Sequence, residues 1–293
     1  MTRMQTTPSA AESFQAEVSQ GERFTFGENW SAFLKVVDQE RIDEAKASLR
    51  EMLGVTDLGD QTFLDIGCGS GLFSLAAAQM GARKVHSFDF DPSSVACAME
   101  LRDRYFPGSG DTWTIEQGNA LDADYVRSLG SFDVVYSWGV LHHTGDMWRA
   151  MENATSAVAD GGRLFIAIYN DQGLRSKAWR LVKRFYNRLP EGLRTLFALL
   201  VMVPRESLSL AKAVALGRPG DYVRSWVDYK RSRGMSRWHD LIDWVGGYPF
   251  EVATPEAVFD YLRGAGFELE RLRTCGGGLG CNQYVARRAL VRS

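Results

Sequence analysis

The stretch Phe63–Pro92, FLDIGCGSGLFSLAAAQMGARKVHSFDFDP, decides the fold of this 293-residue chain. The segment that ends at Ile66 predicts a buried strand because it is apolar or β-branched apart from one acid. A loop with three glycines follows, and Leu72–Met80 then has the apolar content and the length of a helix. Lys84–Phe88 predicts a second strand, which stops at Asp89. A strand, a helix and a strand in this order predict a parallel sheet.

The glycine loop and the acid that closes the second strand predict a site for a nucleotide cofactor. Glycines let the backbone approach a ligand closely, and an acid in this place can hold both hydroxyls of a ribose. A dinucleotide-binding loop would have its third glycine at the position of Leu72. The loop instead reads G-x-G-x-G, with Asp65 two residues before the first glycine. A glycine turn of purely structural use, in another kind of α/β protein, stays open at this point.

The pattern D-x-G-x-G-x-G resembles the first motif of the class I S-adenosylmethionine (SAM)-dependent methyltransferases. Four residues form it: Asp65, Gly67, Gly69 and Gly71. Asp89 matches the acid that binds the ribose in that family. The resemblance implies a Rossmann-like α/β fold, a doubly wound sheet of seven mostly parallel strands. The residues between its two core segments are additional to that fold and predict an inserted, mainly helical cap. The resemblance is strong over residues 61–169 and extends as topology to 254–288.

The later strands and helices fit the same topology. Further strands are predicted at 112–116, 132–137, 163–169, 267–273 and 283–287, the last of them antiparallel. A turn at Asp160–Gly162 is expected before the fifth strand. Thr254 is expected to cap a helix that begins at Pro255.

The resemblance implies SAM as the cofactor, and nothing in the sequence indicates a metal. The positions that match the family's cofactor site, or adjoin it, are Asp65, Gly67, Cys68, Gly69, Gly71, Asp89, Phe90, Asn119, Ala120, Ser137 and Trp138. Asn119 matches a residue that contacts the adenine in the family. Because turns favour asparagine, a purely structural role for Asn119 stays open.

The chain divides into three parts. Residues 1–60 are expected to form a leader, flexible to about residue 20, and a helical lid rich in aromatic residues at 23–37. That aromatic segment equally fits a helix that merely packs on the core. Residues 61–169 and 253–293 form the predicted SAM-binding core, and residues 170–252 form an insertion, the cap.

The cap is basic. Residues 171–238 contain fifteen Lys or Arg and five Asp or Glu, a local charge of about +10 on a chain whose net charge is −2. Three interpretations stay open: a solvated cap, a face that meets an anionic membrane or admits a lipophilic substrate, and a face for RNA. Nucleic acid is the least favoured partner because no nucleic-acid module is present.

Methyl transfer needs the nucleophile placed in line with the methyl group, and it needs a base when an alcohol or phenol must lose its proton. His143 is the first candidate for this base because it follows the fourth strand, where a histidine serves as base in some relatives of the family. Further candidates are His142, Tyr169 and His239. A role for the two adjacent histidines in capping or in holding a loop stays open.

The composition fits a cytoplasmic globular protein, with 45% hydrophobic and 24% charged residues. The four cysteines form no C-x-x-C pair, and no secretion signal or membrane span is visible. We therefore expect methyl transfer to a small, lipophilic or aromatic acceptor whose nucleophilic atom the sequence leaves open. An RNA or tRNA methyltransferase and a non-catalytic SAM-binding regulatory protein are the alternatives, and the sequence does not indicate an oligomeric state.

Overall fold

The computed structural model describes residues 9–27, 30, 33–35, 37–108, 110–227 and 237–290. One sheet of seven strands lies at its centre, in the order β3-β2-β1-β4-β5-β7-β6. Its strands are β1 (Thr62–Ile66), β2 (Lys84–Asp89), β3 (Trp113–Gln117), β4 (Phe132–Trp138), β5 (Val158–Tyr169), β6 (Phe267–Arg273) and β7 (Cys281–Arg288).

Eleven α-helices are described in these residues: α1 (Ala10–Ser19), α2 (Gln39–Leu53), α3 (Leu72–Gln79), α4 (Pro92–Tyr105), α5 (Ala123–Ser128), α6 (Met147–Ser156), α7 (Leu174–Arg188), α8 (Glu191–Ala215), α9 (Pro219–Val227), α10 (Arg237–Gly246) and α11 (Pro255–Gly264). A single 3₁₀ turn at Leu141–His143 follows β4. Thr254 caps α11 by accepting a hydrogen bond from the Ala257 N–H at 3.3 Å, as the sequence predicts.

Strands β1 to β5 pair in parallel, and β7 pairs antiparallel with both β5 and β6. Apolar side chains are buried on both faces of the sheet: Phe63 of β1 packs in one layer and its neighbour Leu64 in the other. A strand that is buried on both faces has a nearly continuous apolar sequence, which explains the composition of β1. The predicted doubly wound, mostly parallel sheet is confirmed.

The fifth strand begins earlier than predicted. β5 starts at Val158, so the turn expected at Asp160–Gly162 is wrong, and the pairing with β4 shifts register between Phe132 and Val134 instead. A Cβ on Gly162 would lie 2.9 Å from the backbone oxygen of Asp133. The backbone oxygen of Ala159 lies equally close, at 2.9 Å, and Gly161 has a φ angle of +71°, so glycine is required there both by a bulge of β5 and by the close approach of the neighbouring strand.

The N-terminal segment contains a helix where a flexible leader is expected. Ser9 accepts a hydrogen bond from the N–H of Glu12, whose carboxylate accepts one from the Ser9 N–H, so a capping box begins α1. Phe14 of this helix is buried, with its ring centroid 5.4 Å from that of Phe90. The S-x-x-E spacing is the sequence signal for this helix start.

The cap leaves the core and returns to it at adjacent points. Asn170 forms a parallel bridge with Ala253, and the Asp171 N–H donates to the Ala253 oxygen at 3.1 Å. Between these ends, helices α7, α8 and α10 bury a small apolar cluster of their own, which includes Tyr186 and Met202. Among the described residues, no helix has both the length and the apolar character needed to cross a membrane.

Candidate active site

A cavity of about 840 Å³ lies at the carboxyl ends of the parallel strands. This volume lies within the range of roughly 300–1,000 Å³ that is typical of small-molecule sites. One end, here called the carboxylate end, is lined by Asp65, Asp89 and Asp91. The other, here called the aromatic end, is lined by Phe24, Phe26, Trp138, His143, Tyr169, Leu241 and Trp244. The geometry therefore joins a polar and an apolar compartment in one space.

The glycine loop after β1 lines the carboxylate end. Gly67 and Gly69 have φ angles of +75° and +54°, a conformation that L side chains rarely adopt. A Cβ on Gly67 would lie 2.3 Å from the Val140 side chain, and one on Gly69 would lie 2.9 Å from the Trp30 ring. Cys68 also lines the cavity, and burial raises the pKa of its thiol. The loop thus brings bare backbone to the cavity wall.

The third glycine of the motif has a different position. Gly71 is not among the described residues that line the cavity. It precedes α3 with a φ angle of +79°, and a Cβ there would lie 2.9 Å from that of Ala98 in α4. Its small size permits close packing of two helices, so the structure gives it a packing role, and its predicted contact with the cofactor stays a prediction.

Asp89 ends β2 and faces the cavity. One carboxylate oxygen accepts a hydrogen bond from the Gly69 N–H and the other from the Asp91 N–H, each at 2.9 Å. Burial raises the pKa of Asp89 to about 6, so the carboxylate is largely ionised at neutral pH. Each carboxylate oxygen can accept a second hydrogen bond, so a pair of hydroxyl groups can still bind here.

Asp65 lies at the end of β1 within a buried hydrogen-bond chain. Its carboxylate accepts from the Ser74 hydroxyl at 2.5 Å, Ser87 donates to Ser74 at 2.7 Å, and the Trp113 indole donates to Ser87 at 2.8 Å. Burial raises the pKa of Asp65 to about 7. A cationic group beside this carboxyl would favour its ionised form.

Three further predicted cofactor residues line the same end: Phe90, Asn119 and Ala120. The Asn119 side-chain oxygen accepts a hydrogen bond from the Leu121 N–H at 2.9 Å, which is the turn-stabilising role that asparagine commonly has. Its side-chain amide nitrogen is the remaining polar group of the residue.

Ser137 and Trp138, adjacent residues of β4 that are both predicted to bind the cofactor, occupy different environments in the structure. Trp138 lines the cavity, whereas Ser137 is fully buried and donates to the Ile66 oxygen at 2.9 Å, so it is not part of the described lining. Tyr136, which the sequence does not single out, lines the cavity. Side chains alternate between the faces of a strand, so Tyr136 and Trp138 share a face that Ser137 cannot reach.

The lid, the described residues of 23–37, covers both ends of the cavity. Arg23, Phe24, Phe26, Trp30 and Phe33 line it. The Gly27 N–H donates to the Asp91 carboxylate at 2.8 Å, near the carboxylate end. Arg23 donates to the backbone oxygens of His143 at 3.1 Å and Thr144 at 3.3 Å, near the aromatic end. These bonds support the lid interpretation over simple packing on the core.

His143 lies at the aromatic end, within the 3₁₀ turn after β4. Its Nδ1 lies 2.5 Å from the carbonyl oxygen of Pro249. A carbonyl oxygen can only accept, so Nδ1 carries the proton and Nε2 of the neutral ring has a lone pair. Burial lowers the pKa of His143 to about 3, with Lys183 also opposing protonation, so the ring is neutral throughout the physiological range.

The other catalytic candidates lie in different places. Tyr169 ends β5 and lines the cavity, with its ring centroid 5.4 Å from that of His143. His142 is fully buried and absent from the described lining; its Nδ1 accepts from the Tyr169 N–H at 3.4 Å, and burial lowers its pKa. His142 therefore supports the strand end, as the structural alternative has it. His239 belongs to α10, but its side chain lies outside the described residues.

The segment Gly246–Ala253, here called the strap, connects the cap to this turn. Besides the bond from His143 to Pro249, the Glu251 N–H donates to the His142 oxygen at 2.9 Å. The Phe24 N–H of the lid donates to the Tyr248 oxygen at 2.9 Å. The strap thus holds the lid and the histidine turn together.

The described side chains contain no group of three His, Cys, Asp or Glu arranged to hold a metal ion. Three carboxylates at one end of the cavity instead provide negative charge. Such a wall attracts a cationic ligand and repels a pyrophosphate.

Comparisons with known proteins agree with this geometry. Residues 64–164 match a family model described as a methyltransferase domain. A ubiquinone biosynthesis O-methyltransferase from Methylobacterium sp. is 33% identical over 146 residues, which cover 49% of this chain and 55% of that protein. A 27-O-demethylrifamycin SV methyltransferase from Amycolatopsis mediterranei is 29% identical over 178 residues, covering 53% and 63%. The chain spans little more than half the length of these curated relatives.

A solved structure shares the fold. An O-methyltransferase family protein from Burkholderia thailandensis aligns with a TM-score of 0.50 at 14% identity, over 87% of this chain and 57% of that one. At this identity the likeness concerns the fold alone.

Proposed function

We propose that this chain, whose residues 64–164 match a methyltransferase-domain family model, is a class I SAM-dependent methyltransferase that transfers a methyl group from SAM to a small, lipophilic or aromatic acceptor. The observation that carries this proposal is the single cavity in which a carboxylate end adjoins an aromatic end. The first suits a cationic nucleotide cofactor, and the second suits an apolar acceptor. SAM, when bound, supplies an electrophilic methyl group on a sulfonium centre.

The carboxylate end would hold the cofactor. Asp89 would accept hydrogen bonds from the two ribose hydroxyls while keeping its bonds to the Gly69 and Asp91 N–H groups. Asp65, with its pKa raised to about 7 by burial, would ionise fully beside the ammonium of the methionine moiety. Phe90 and Asn119 would border the adenine, with the Asn119 amide nitrogen as donor. The negative charge of this wall also favours SAM over an anionic dinucleotide.

The aromatic end would hold the acceptor. Its rings and its leucine offer apolar contact, which supports a lipophilic or aromatic molecule, and Glu206 of α8 is an acid that also lines the cavity. The two curated relatives are named for methyl transfer in ubiquinone biosynthesis and to 27-O-demethylrifamycin SV. These names support a small-molecule acceptor, with oxygen as the first acceptor atom to test.

His143 would accept the proton of the acceptor at Nε2. The Pro249 carbonyl fixes the tautomer that leaves this nitrogen with a lone pair. A phenol with a pKa of about 10 differs from His143, with its pKa of about 3, by about 10 kcal/mol of proton-transfer free energy. His143 would therefore orient the hydroxyl through a hydrogen bond first. It would take the proton only when the new bond to carbon has made the hydroxyl strongly acidic.

The lid would exclude water during the reaction. It is bonded to Asp91 at one end of the cavity and to the turn of His143 at the other. Since Trp30 packs against Gly69 over the loop, the lid would have to move for the cofactor to enter.

Calorimetry with SAM and with its demethylated product tests cofactor binding, and a metabolite screen with methyl-labelled SAM tests the acceptor. We expect both nucleosides to bind and the label to appear in lipophilic metabolites. Failure of both to bind would overturn the proposal. Binding of both with label found only in RNA would overturn the small-molecule acceptor.

A further inference from the structure

An exposed apolar row runs along α8. Its five members are 50–66% exposed: Leu193, Leu196, Leu200, Val203 and Val214. Their spacing places them on one face of the helix. The opposite face packs inward, since Ala198 and Met202 are buried in the cap. The first four follow one another at spacings of three and four, and a row of exposed apolar side chains of this kind marks an interaction surface.

A second row lies on α7, the other helix of the same hairpin. Leu174, Leu181 and Phe185 are 82%, 68% and 55% exposed, and their spacings of seven and four place them on one helix face. The Phe185 ring lies 5.1 Å from the ring of Phe197 in α8, measured between centroids. This contact connects the two rows across the hairpin.

Positive charge surrounds the row on α7, whereas the charges of α8 are close to balanced, with three Lys or Arg and two Glu. Helix α7 contains six Lys or Arg and no acid. Five of the six are exposed: Arg175, Lys177, Arg180, Arg184 and Arg188. Lys183 is the buried one and donates to the Trp244 oxygen. Exposed leucines among exposed cations are typical of helices that lie in the interface of an anionic bilayer.

We propose that the outer face of the α7–α8 hairpin binds peripherally to an anionic lipid bilayer. The apolar rows would enter the boundary between headgroups and acyl chains, and the cations would pair with lipid phosphates. A second copy of this chain is disfavoured because two such cationic faces repel each other. RNA is disfavoured because the exposed side chains are mostly aliphatic and cannot stack on bases as aromatic rings do. The inference rests on exposure and charge, not on the proposed methyl transfer.

Co-sedimentation of the full chain with vesicles tests this directly. We expect binding to vesicles of phosphatidylcholine with phosphatidylglycerol, release at high salt, and much weaker binding to phosphatidylcholine alone. Arg184→Glu with Arg188→Glu should weaken binding at least about 25-fold, since each cation lost contributes about fivefold. Leu196→Glu with Leu200→Glu should weaken it at least about tenfold.

Matched controls place the same changes elsewhere on the surface. Arg127→Glu with Arg263→Glu changes two exposed arginines on the surface of the SAM-binding core, outside the cap. Leu272→Glu with Leu290→Glu changes two exposed leucines on that same surface. Both controls should bind vesicles like the unaltered protein. Circular dichroism and SAM affinity should be unchanged in all four variants, which separates surface effects from misfolding.

Four kinds of result would overturn the proposal. The first is equal binding to both vesicle types or to neither. The second is hairpin variants that bind like their controls. The third is a dimer at micromolar concentration in ultracentrifugation that the leucine variants dissociate, because the rows would then be covered by a second copy. Salt-dependent binding to tRNA that exceeds binding to vesicles would likewise assign the face to another partner.

Discussion

The two ends of the cavity are built in different ways. The carboxylate end comes mainly from one stretch of sequence, the loop after β1 and the end of β2, and backbone bonds such as that from Gly69 to Asp89 hold it. The aromatic end is assembled from the lid, the turn after β4, the end of β5 and the cap. The first is a local product of the fold, whereas the second depends on segments far apart in the chain.

We therefore expect a substitution at one end of the cavity to leave the function of the other end intact. Changes at the carboxylate end should weaken cofactor binding and, at the glycines, stability. Changes at the aromatic end should alter turnover or acceptor affinity and leave cofactor affinity intact. Substitutions more than about 10 Å apart that share no partner are expected to add.

The largest expected effect is on turnover at the aromatic end. His143→Ala should reduce kcat by about 10²–10⁴, the loss typical of a missing general base, with SAM affinity nearly unchanged. His143→Asn can still donate to the Pro249 carbonyl but has no acceptor at the position of Nε2. The kcat of His143→Asn should fall as far as that of His143→Ala, and the kcat of His142→Ala should fall less. Single-turnover assays measure the methyl-transfer step in each variant.

Near-normal turnover in the His143→Asn variant would show that His143 only positions the strap. Tyr169 and His239 would then be the next candidates for the residue that accepts the proton.

The next effect is on stability at the carboxylate end. Gly67→Ala combines a left-handed backbone with a Cβ 2.3 Å from Val140, whereas Gly130→Ala has a φ of +83° and no atom within 4 Å of its Cβ. The first should lose roughly 2–5 kcal/mol of unfolding free energy and the second only about 1–2. Urea unfolding measures both, and equal losses would contradict the close approach of Val140.

A smaller effect is expected on the acceptor. Trp244→Ala should raise the KM of the acceptor about tenfold or more, because it removes a ring from the cavity wall. Trp244→Phe should retain most of the affinity, and Trp148→Ala, at an exposed site outside the lining, should have no effect. An equal rise in the KM of SAM would mean that the two ends are not separate.

The smallest effect concerns pH. SAM affinity should decline as the pH falls below about 7, because Asp65, with its pKa of about 7, and then Asp89, with its pKa of about 6, lose their negative charges. Each of the two carboxyls contributes a limiting slope of about tenfold per pH unit. At saturating SAM, kcat should show no protonation of His143 between pH 5 and 8, because its pKa is about 3. A kcat that falls tenfold per unit below pH 6.5 would contradict the buried, neutral ring.

The sequence predicted the carboxylate end better than the aromatic end, for a physical reason. Asp89 and the first two glycines of the loop lie together because consecutive βα units place them there. Gly71 shows how far such a motif can be interpreted. The spacing of the glycines does not tell whether Gly71 contacts a ligand or packs against Ala98 in α4. The alternation of side chains along β4 would have added Tyr136 to the predicted lining.

The aromatic end could not be predicted in detail. The bond between His143 and Pro249 joins residues 106 apart in sequence, and no local pattern specifies it. The burial that lowers the pKa of His143 arises from the cap and the lid, whose aromatic content was visible but whose packing was not. At the N-terminus, by contrast, the capping box of Ser9 and Glu12 was a readable signal for α1.

Calorimetric titration of the demethylated product of SAM into two variants tests the central claim most directly. Asp89→Ala should lose two charge-assisted hydrogen bonds, about 3–6 kcal/mol or roughly 10²–10⁴ in affinity. His143→Ala should bind within about twofold of the unaltered protein, since its free-energy change should stay below about 0.5 kcal/mol. Unchanged affinity in Asp89→Ala, or a comparable loss in both variants, would contradict a cavity whose two ends have separate functions.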